Sequence, residues 1–255
     1  MDLTLSVFII CALCFFFAGF IDSIAGGGGL ITLPSLLLCG VPAHYALGTG
    51  KLAGGLGSIT ALVTFWRGKL IDRRVAPIGF VSSFLGAVAG SWLALQIESS
   101  QMERILIFML PIGLMLSLLC GGIKLEDTPV AARFLLLKVS LIGLTVGLYD
   151  GFFGPGAGSF FLLGLHLTLK MGLVKSSANA KVFNIASNLG SVCTFASGGT
   201  VLYALALPCA VASIIGNRLG AKYAMRVGPR FVRNILYFVL TLLMCSLLFR
   251  TFCLN

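Results

Sequence analysis

Two glycine-broken stretches of this chain, 128 residues apart, carry the same glycines and the same acid inside apolar sequence. Gly19, Asp22, Gly26 and Gly28 of the first recur as Gly147, Asp150, Gly154 and Gly156 of the second. Further along the offset becomes 130, and Lys51, Gly86, Gly90 and Ile105 recur as Lys181, Gly216, Gly220 and Ile235. Helix breakers at corresponding places of two apolar halves point to a secondary transporter with its binding site at the breaks.

Composition decides the solvent. Only 10% of the residues are charged, against roughly 25% in a soluble domain, so a water-soluble globule is excluded. The 255 residues suffice for about ten spans of about 20 residues joined by short loops. The expectation is an all-α integral membrane protein, one transporter domain over residues 1–255. Met1-Asp2-Leu3-Thr4 lacks the basic stretch of a cleavable signal peptide, so the first apolar run is expected to be retained. Cys11, Cys14, Cys193, Cys209 and Cys245 fall in apolar runs and read as small apolar filler rather than as disulfides or a metal site.

Apolar runs between Gly/Pro and charge clusters give spans at 3–21, 46–66, 75–97 and 104–121, then 134–149, 176–196, 201–223 and 231–252, with short runs at 30–41 and 158–169. Repeat one covers about 3–121 and repeat two about 134–252. The short runs fall well below the ~30 Å hydrocarbon core at ~1.5 Å per residue. They read as re-entrant hairpins or as half-helices continuing the broken helix before them. Five passes per half invert the second half relative to the first. Fourteen of the eighteen Lys and Arg then fall in loops on one side, including the clusters Arg67 to Arg74 and Arg226 to Arg233. The positive-inside bias thus favours the inverted arrangement, with both termini outside the cytoplasm. The net charge of +10 is explained by these loops, and no nucleic-acid partner is expected.

Lys51 and Lys181 lie inside apolar helices, where an isolated lysine costs about 2.5–3.5 kcal/mol at mid-membrane. One lysine could snorkel to the interface, but two at matching positions point to function. Asn184, Asn188 and Ser191 follow Lys181 on one helix face, where Gly54, Ser58 and Ala61 follow Lys51. The alternative is close helix packing through small and polar residues. Gly26 to Gly29 and Gly154-Pro155-Gly156 break their helices, and a broken helix frees N–H groups and presents the positive end of the next half-helix. With a lysine from each half nearby, the expected guest is a small anion. Asp22 and Asp150 are candidates for lysine pairing, helix capping or ion coupling. His44 and His166 do not match between the halves, and His166 reads as a local hydrogen-bonding residue. Gly48-Thr49-Gly50-Lys51-Leu52 is no phosphate loop, since Ser or Thr should follow the lysine.

These residues also carry a family likeness. Ala18 to Leu30, Gly48 to Leu52, Tyr149 to Pro155, Ala180-Lys181 and Asn184-Ile185-Ala186-Ser187-Asn188 resemble the sulfite exporter TauE/SafE family, also called the toluene sulfonate uptake permeases. The resemblance covers nearly the whole chain. It implies a multi-pass permease of the bacterial inner membrane for sulfur-containing anions or organic acids, driven by an ion gradient. The chain departs from the family pattern at Gly50, where Thr-Asn-Lys is expected, and Asn179 of the other half is a candidate for the missing amide.

The sequence reading is therefore a permease, not an enzyme, with two inverted repeats that rock about a mid-membrane site. Lys51, Lys181, Asn184, Asn188, Gly28, Gly156 and Thr49 are its candidate substrate residues, with Asp22 and Asp150 for a coupling proton or sodium ion. Its partners are a small anion and lipid, with no cofactor, and the oligomeric state is open. The alternatives are an anion channel, in which the lysines form a selectivity ring, and a membrane scaffold.

Overall fold

In a computed structural model, residues 4–120 and 134–224 are described, and every regular element among them is a helix. In chain order they are α1 (Leu5–Ala25), α2 (Gly29–Leu38), α3 (Ala43–Arg67), α4 (Val75–Leu95), α5 (Ser99–Cys120), α6 (Leu135–Phe152), α7 (Ala157–Leu169), α8 (Leu173–Ser197) and α9 (Tyr203–Ala224). The sequence-expected span 231–252 lies outside the described residues.

Four of these helices, α1, α4, α6 and α9, are long and apolar enough to cross a membrane. Each keeps a row of large apolar side chains on its outer face. On α9 these are Leu207, Val211, Ile215 and Leu219, and on α6 Leu137, Leu141, Leu144 and Leu148, all exposed. Spacing of three and four puts each row on one stripe. Such continuous apolar surface belongs against lipid rather than water. Helices α3 and α8 lie inside this ring, lined with buried Gly, Ala, Ser and Asn instead of long aliphatics.

The packing partners come in matching pairs. Helix α1 lies along α9 as α6 lies along α4, and α3 packs on α9 as α8 packs on α4, while α3 and α8 touch each other. Glycine makes these crossings close. A Cβ on Gly90 would lie 2.0 Å from the carbonyl oxygen of Leu148, and one on Gly86 2.4 Å from that of Leu144. The α1–α9 crossing has the same build: a Cβ on Gly220 would meet the Phe20 carbonyl at 2.2 Å, and one on Gly216 the Phe16 carbonyl at 2.0 Å. Small residues that let backbones touch are what holds helices together where lipid offers no hydrophobic drive.

The two expected breaks are present. Helix α1 ends at Gly26, and Gly26 and Gly27 take φ of 74° and 98°, which side-chain-bearing residues rarely adopt. Between α6 and α7, Gly154 and Gly156 take φ of 94° and 84°. There the Tyr149 hydroxyl donates to the Pro155 carbonyl at 2.7 Å and straps the break. Helices α2 and α7 have 10 and 13 residues, about 15–20 Å of rise, which is shorter than the ~30 Å hydrocarbon core.

Loops are fastened across the halves in a matched way. The Asn179 side chain of α8 accepts from the Asp72 N–H at 3.0 Å and donates to the Leu70 and Lys175 carbonyls. The Thr49 hydroxyl of α3 accepts from the Leu202 N–H at 3.1 Å. Thr49 and Asn179 are 130 apart, as are Asp72 and Leu202. Thr49→Val should therefore lower thermal stability by about 1 kcal/mol, the cost of an N–H left without a partner, and leave the transport KM unchanged. A changed KM with unchanged melting behaviour would return Thr49 to the substrate path.

Candidate functional site

The two helix breaks face each other. A Cβ on Gly26 would lie 2.7 Å from the Ser159 N, and one on Gly29 would lie 3.2 Å from the Pro155 Cα. Between the breaks and the inner helices lies a cavity of about 80 Å³, lined among others by Asp22, Lys51, Asp150, Asn184, Asn188 and Asn217. Pockets for drug-sized ligands run to roughly 300–1,000 Å³, so this one fits a guest of a few heavy atoms. Backbone at Gly27, Gly28, Gly154 and Gly156 forms part of its wall. Only glycine permits that approach, because a Cβ on Gly28 would fall 2.8 Å from the Asp22 Cβ.

The acids and the lysines pair across the two halves. Lys51 Nζ of α3 donates to Asp150 Oδ1 of α6 at 2.6 Å, and both side chains are buried. The other Asp150 oxygen accepts from the Ser187 hydroxyl of α8. Reciprocally, Lys181 Nζ of α8 donates to Asp22 Oδ2 of α1, which also takes the Ser58 hydroxyl of α3 at 3.3 Å. Asp22 Oδ1 accepts from the Gly28 N–H at 3.3 Å, at the N-terminus of α2. The carboxylate of Asp22 thus occupies the positive end of that half-helix, where an anion is stabilised.

The two pairs differ in their setting. Asp150 is 2% exposed and is held by Lys51 and Ser187. Asp22 is 15% exposed, although both aspartates form cavity wall. Lys181 stands behind Asp22, on a small adjoining crevice shared with Gly26, Gly158 and Asn184. Asn184 borders both spaces, and the Asn188 Nδ2 donates to the Asn184 Oδ1 at 3.3 Å.

Of the sequence candidates, Lys51, Asn184, Asn188, Gly28, Gly156, Asp22 and Asp150 meet at this one cavity, and Lys181 reaches it through Asp22. Thr49 does not join them; it lies off the cavity wall with its hydroxyl engaged by Leu202. Asn179 does not replace the amide missing at Gly50 either, because both ends of its side chain are spent on the Leu70–Asp72 loop and on Lys175. His166 bonds locally, its Nδ1 lying 2.5 Å from the Met171 carbonyl oxygen. Cys11, Cys14, Cys39, Cys193 and Cys209 are free thiols.

Ser187, Ser213 and Asn217 were not sequence candidates. Ser213 and Asn217 line the cavity from α9. A serine and an asparagine four apart inside an apolar span share a helix face, and that is the signal by which they could have been found.

Comparison with known proteins places the chain as a whole. The family model described as sulfite exporter TauE/SafE matches residues 11–247, nearly the whole chain. The chain belongs to the TauE/SafE family. It is a multi-pass membrane permease. It is 36% identical over 234 residues to the Escherichia coli K12 protein named "Probable membrane transporter protein YfcA", covering 91% of this chain and 86% of that one. It is 38% identical over 234 residues to a Haemophilus influenzae protein named "Probable membrane transporter protein", covering 91% of both. A Sinorhizobium protein named "Probable membrane transporter protein ORF9" is 38% identical over 228 residues, covering 88% of this chain and 85% of that one. No solved structure matches significantly. These relatives all carry the name of probable membrane transporters.

Proposed function

We propose that this permease is a secondary transporter of the bacterial inner membrane for a small anion such as sulfite, an organosulfonate or a related organic acid. Two inverted repeats of five segments rock against one another and expose the cavity to each side in turn. The matched packing of α1 on α9 and α6 on α4 supports two repeats related by a pseudo-two-fold axis. The observation that carries the reading is the cavity where both lysine–aspartate pairs meet the two helix breaks. Lys51 and Lys181 supply positive charge, the N-termini of α2 and α7 after Gly28 and Gly156 add N–H donors, and Asn184 and Asn188 orient the guest.

The test is uptake into proteoliposomes of labelled sulfite, sulfate, sulfoacetate, taurine and small carboxylates, with imposed ion gradients. Saturable accumulation of one anion is expected, falling to background in Lys51→Ala/Lys181→Ala. Because that variant strands two buried acids, Asn188→Ala serves beside it with the ion pairs intact, and its KM should rise about tenfold for one lost hydrogen bond to a charged guest. Wild-type kinetics in both variants would remove the lysines and Asn188 from the site.

A further inference from the structure

Three buried side-chain N or O atoms lack a hydrogen-bond partner among the described residues: His166 Nε2, Ser191 Oγ and Asn217 Oδ1. Only the Asn217 side chain forms part of the cavity wall. It is 1% exposed. Its Nδ2 donates to the Ser213 carbonyl at 3.0 Å and to the Ser213 Oγ at 3.3 Å. A carbonyl can accept only from the NH2 end, so the amide cannot be turned over, and its oxygen stays free. An acceptor left unpaired in a buried place costs about 1–3 kcal/mol, which a bound donor or cation removes.

The surroundings say which. Asn217 wedges against α1 at Gly19 and against α3 at Gly57; a Cβ on either glycine would lie within 3 Å of its Nδ2. One helical turn beyond Gly19 is Asp22, and next to Gly57 is Ser58, whose hydroxyl meets the Asp22 carboxylate. Asp22, Ser58, Ser213 and Asn217 line the same cavity. That wall offers a carboxylate, two hydroxyl oxygens and an amide oxygen, all hard donors, with a single formal charge. Hard oxygen donors suit alkali and alkaline-earth ions, and one carboxylate beside the Lys181 ammonium disfavours a divalent one. In the other half Asp150, Asn188 and Ser83 stand at the places of Asp22, Ser58 and Ser213, but Ala87 stands at the place of Asn217, so the amide oxygen belongs to this corner alone.

We propose that Asp22, Ser58, Ser213 and Asn217 form a sodium site, and that sodium takes the place of Lys181 on Asp22 when the anion binds. The inference rests on the transport reading above for its second half only. With Lys181 closed on Asp22 the site is neutral. An anion alone would leave a net negative charge in a low-dielectric interior, and a sodium ion alone a net positive one; together they restore neutrality. Sodium on Asp22 releases the Lys181 ammonium to the anion, so each ligand strengthens the other's binding.

The full chain, purified in detergent, is melted in sodium chloride and in choline chloride at equal ionic strength, with and without sulfite. Sodium at about ten times its Kd should raise the midpoint by about 3–6 °C, choline should not, and sulfite should enlarge the sodium effect. Asn217→Ala, which copies Ala87 of the other half, should lose the sodium shift; Ser58→Ala, which leaves the α1–α9 contact intact, should weaken it. Equal melting in both salts, with or without sulfite, overturns the site, and so does a full sodium shift in Asn217→Ala. Sulfite flux driven by a pH gradient and indifferent to sodium also overturns it, assigning the cation to a proton on Asp22. A sodium shift that Asn217→Ala abolishes, in a protein that moves none of the anions, supports the cation site and sinks the transport reading instead.

Discussion

Lys51→Met is expected to destabilise the purified protein by about 3–5 kcal/mol, and Asp150→Asn by a similar amount, whereas the two together should recover most of the loss. Lys51 and Asp150 are 2.6 Å apart and both buried, so either change alone leaves a buried charge without its counterion. Removing both leaves a neutral amide that can keep the Ser187 hydroxyl as a partner. The measurement is a double-mutant cycle by unfolding in mixed micelles. The Asp22–Lys181 pair should give a smaller coupling, because Asp22 is more exposed than Asp150 and retains the Gly28 N–H and the Ser58 hydroxyl. Equal losses for the single and double changes at 51 and 150 would mean that the pair is not closed in the native protein. The stable double variant then separates packing from transport: intact melting with lost flux places the charges of the Lys51–Asp150 pair in the transport step.

Sequence periodicity reached the helices but not their ends. The first span, read as 3–21, continues as α1 to Ala25, and the sixth, read as 134–149, continues as α6 to Phe152. Both readings stop at the aspartate, since a charge normally closes an apolar run. Here each acid is neutralised by a lysine 159 or 99 positions away, so the helix carries it onward to the glycine break. The span read as 104–121 begins as α5 at Ser99, because Glu103 and Arg104 fit in an early helical turn. Matching Gly86 and Gly90 with Gly216 and Gly220 was legible; the carbonyls they contact were not, because a repeat pattern says nothing of which helix lies opposite. The crosswise pairing of acids and lysines was open for the same reason. Asn217 was missed because it sits in a span otherwise apolar enough to read as lipid-facing, and its partners come from α1 and α3, whose approach no local pattern encodes.

The glycine crossings set the other large effect. Gly90→Leu and Gly220→Leu are expected to remove folded protein altogether, and the alanine variants to destabilise by about 3 kcal/mol or more, beyond the usual cost of overpacking. The reason is the kind of atom met. Next to Gly90 the obstacle is the Leu148 carbonyl oxygen at 2.0 Å from the added Cβ, and the Phe152 N is 2.8 Å away; at Gly220 it is the Phe20 carbonyl at 2.2 Å. A side chain can rotate aside, but helix backbone moves only if the whole crossing opens. Opening α4–α6 shifts Asp150 away from Lys51, and opening α1–α9 shifts Asp22 and Asn217 apart, so the crossings also fix the site. Gly54 is the control, since no atom lies within 4 Å of its added Cβ and its backbone needs no special φ. Gly54→Ala should express and melt like wild type, or slightly above it, given alanine's advantage of about 1 kcal/mol in a helix. Size-exclusion profiles and melting midpoints of the four crossing variants and Gly54→Ala decide the matter. Wild-type behaviour of Gly90→Ala would mean that α4 and α6 are further apart than this packing requires, and that the two helix pairs are not held by backbone contact.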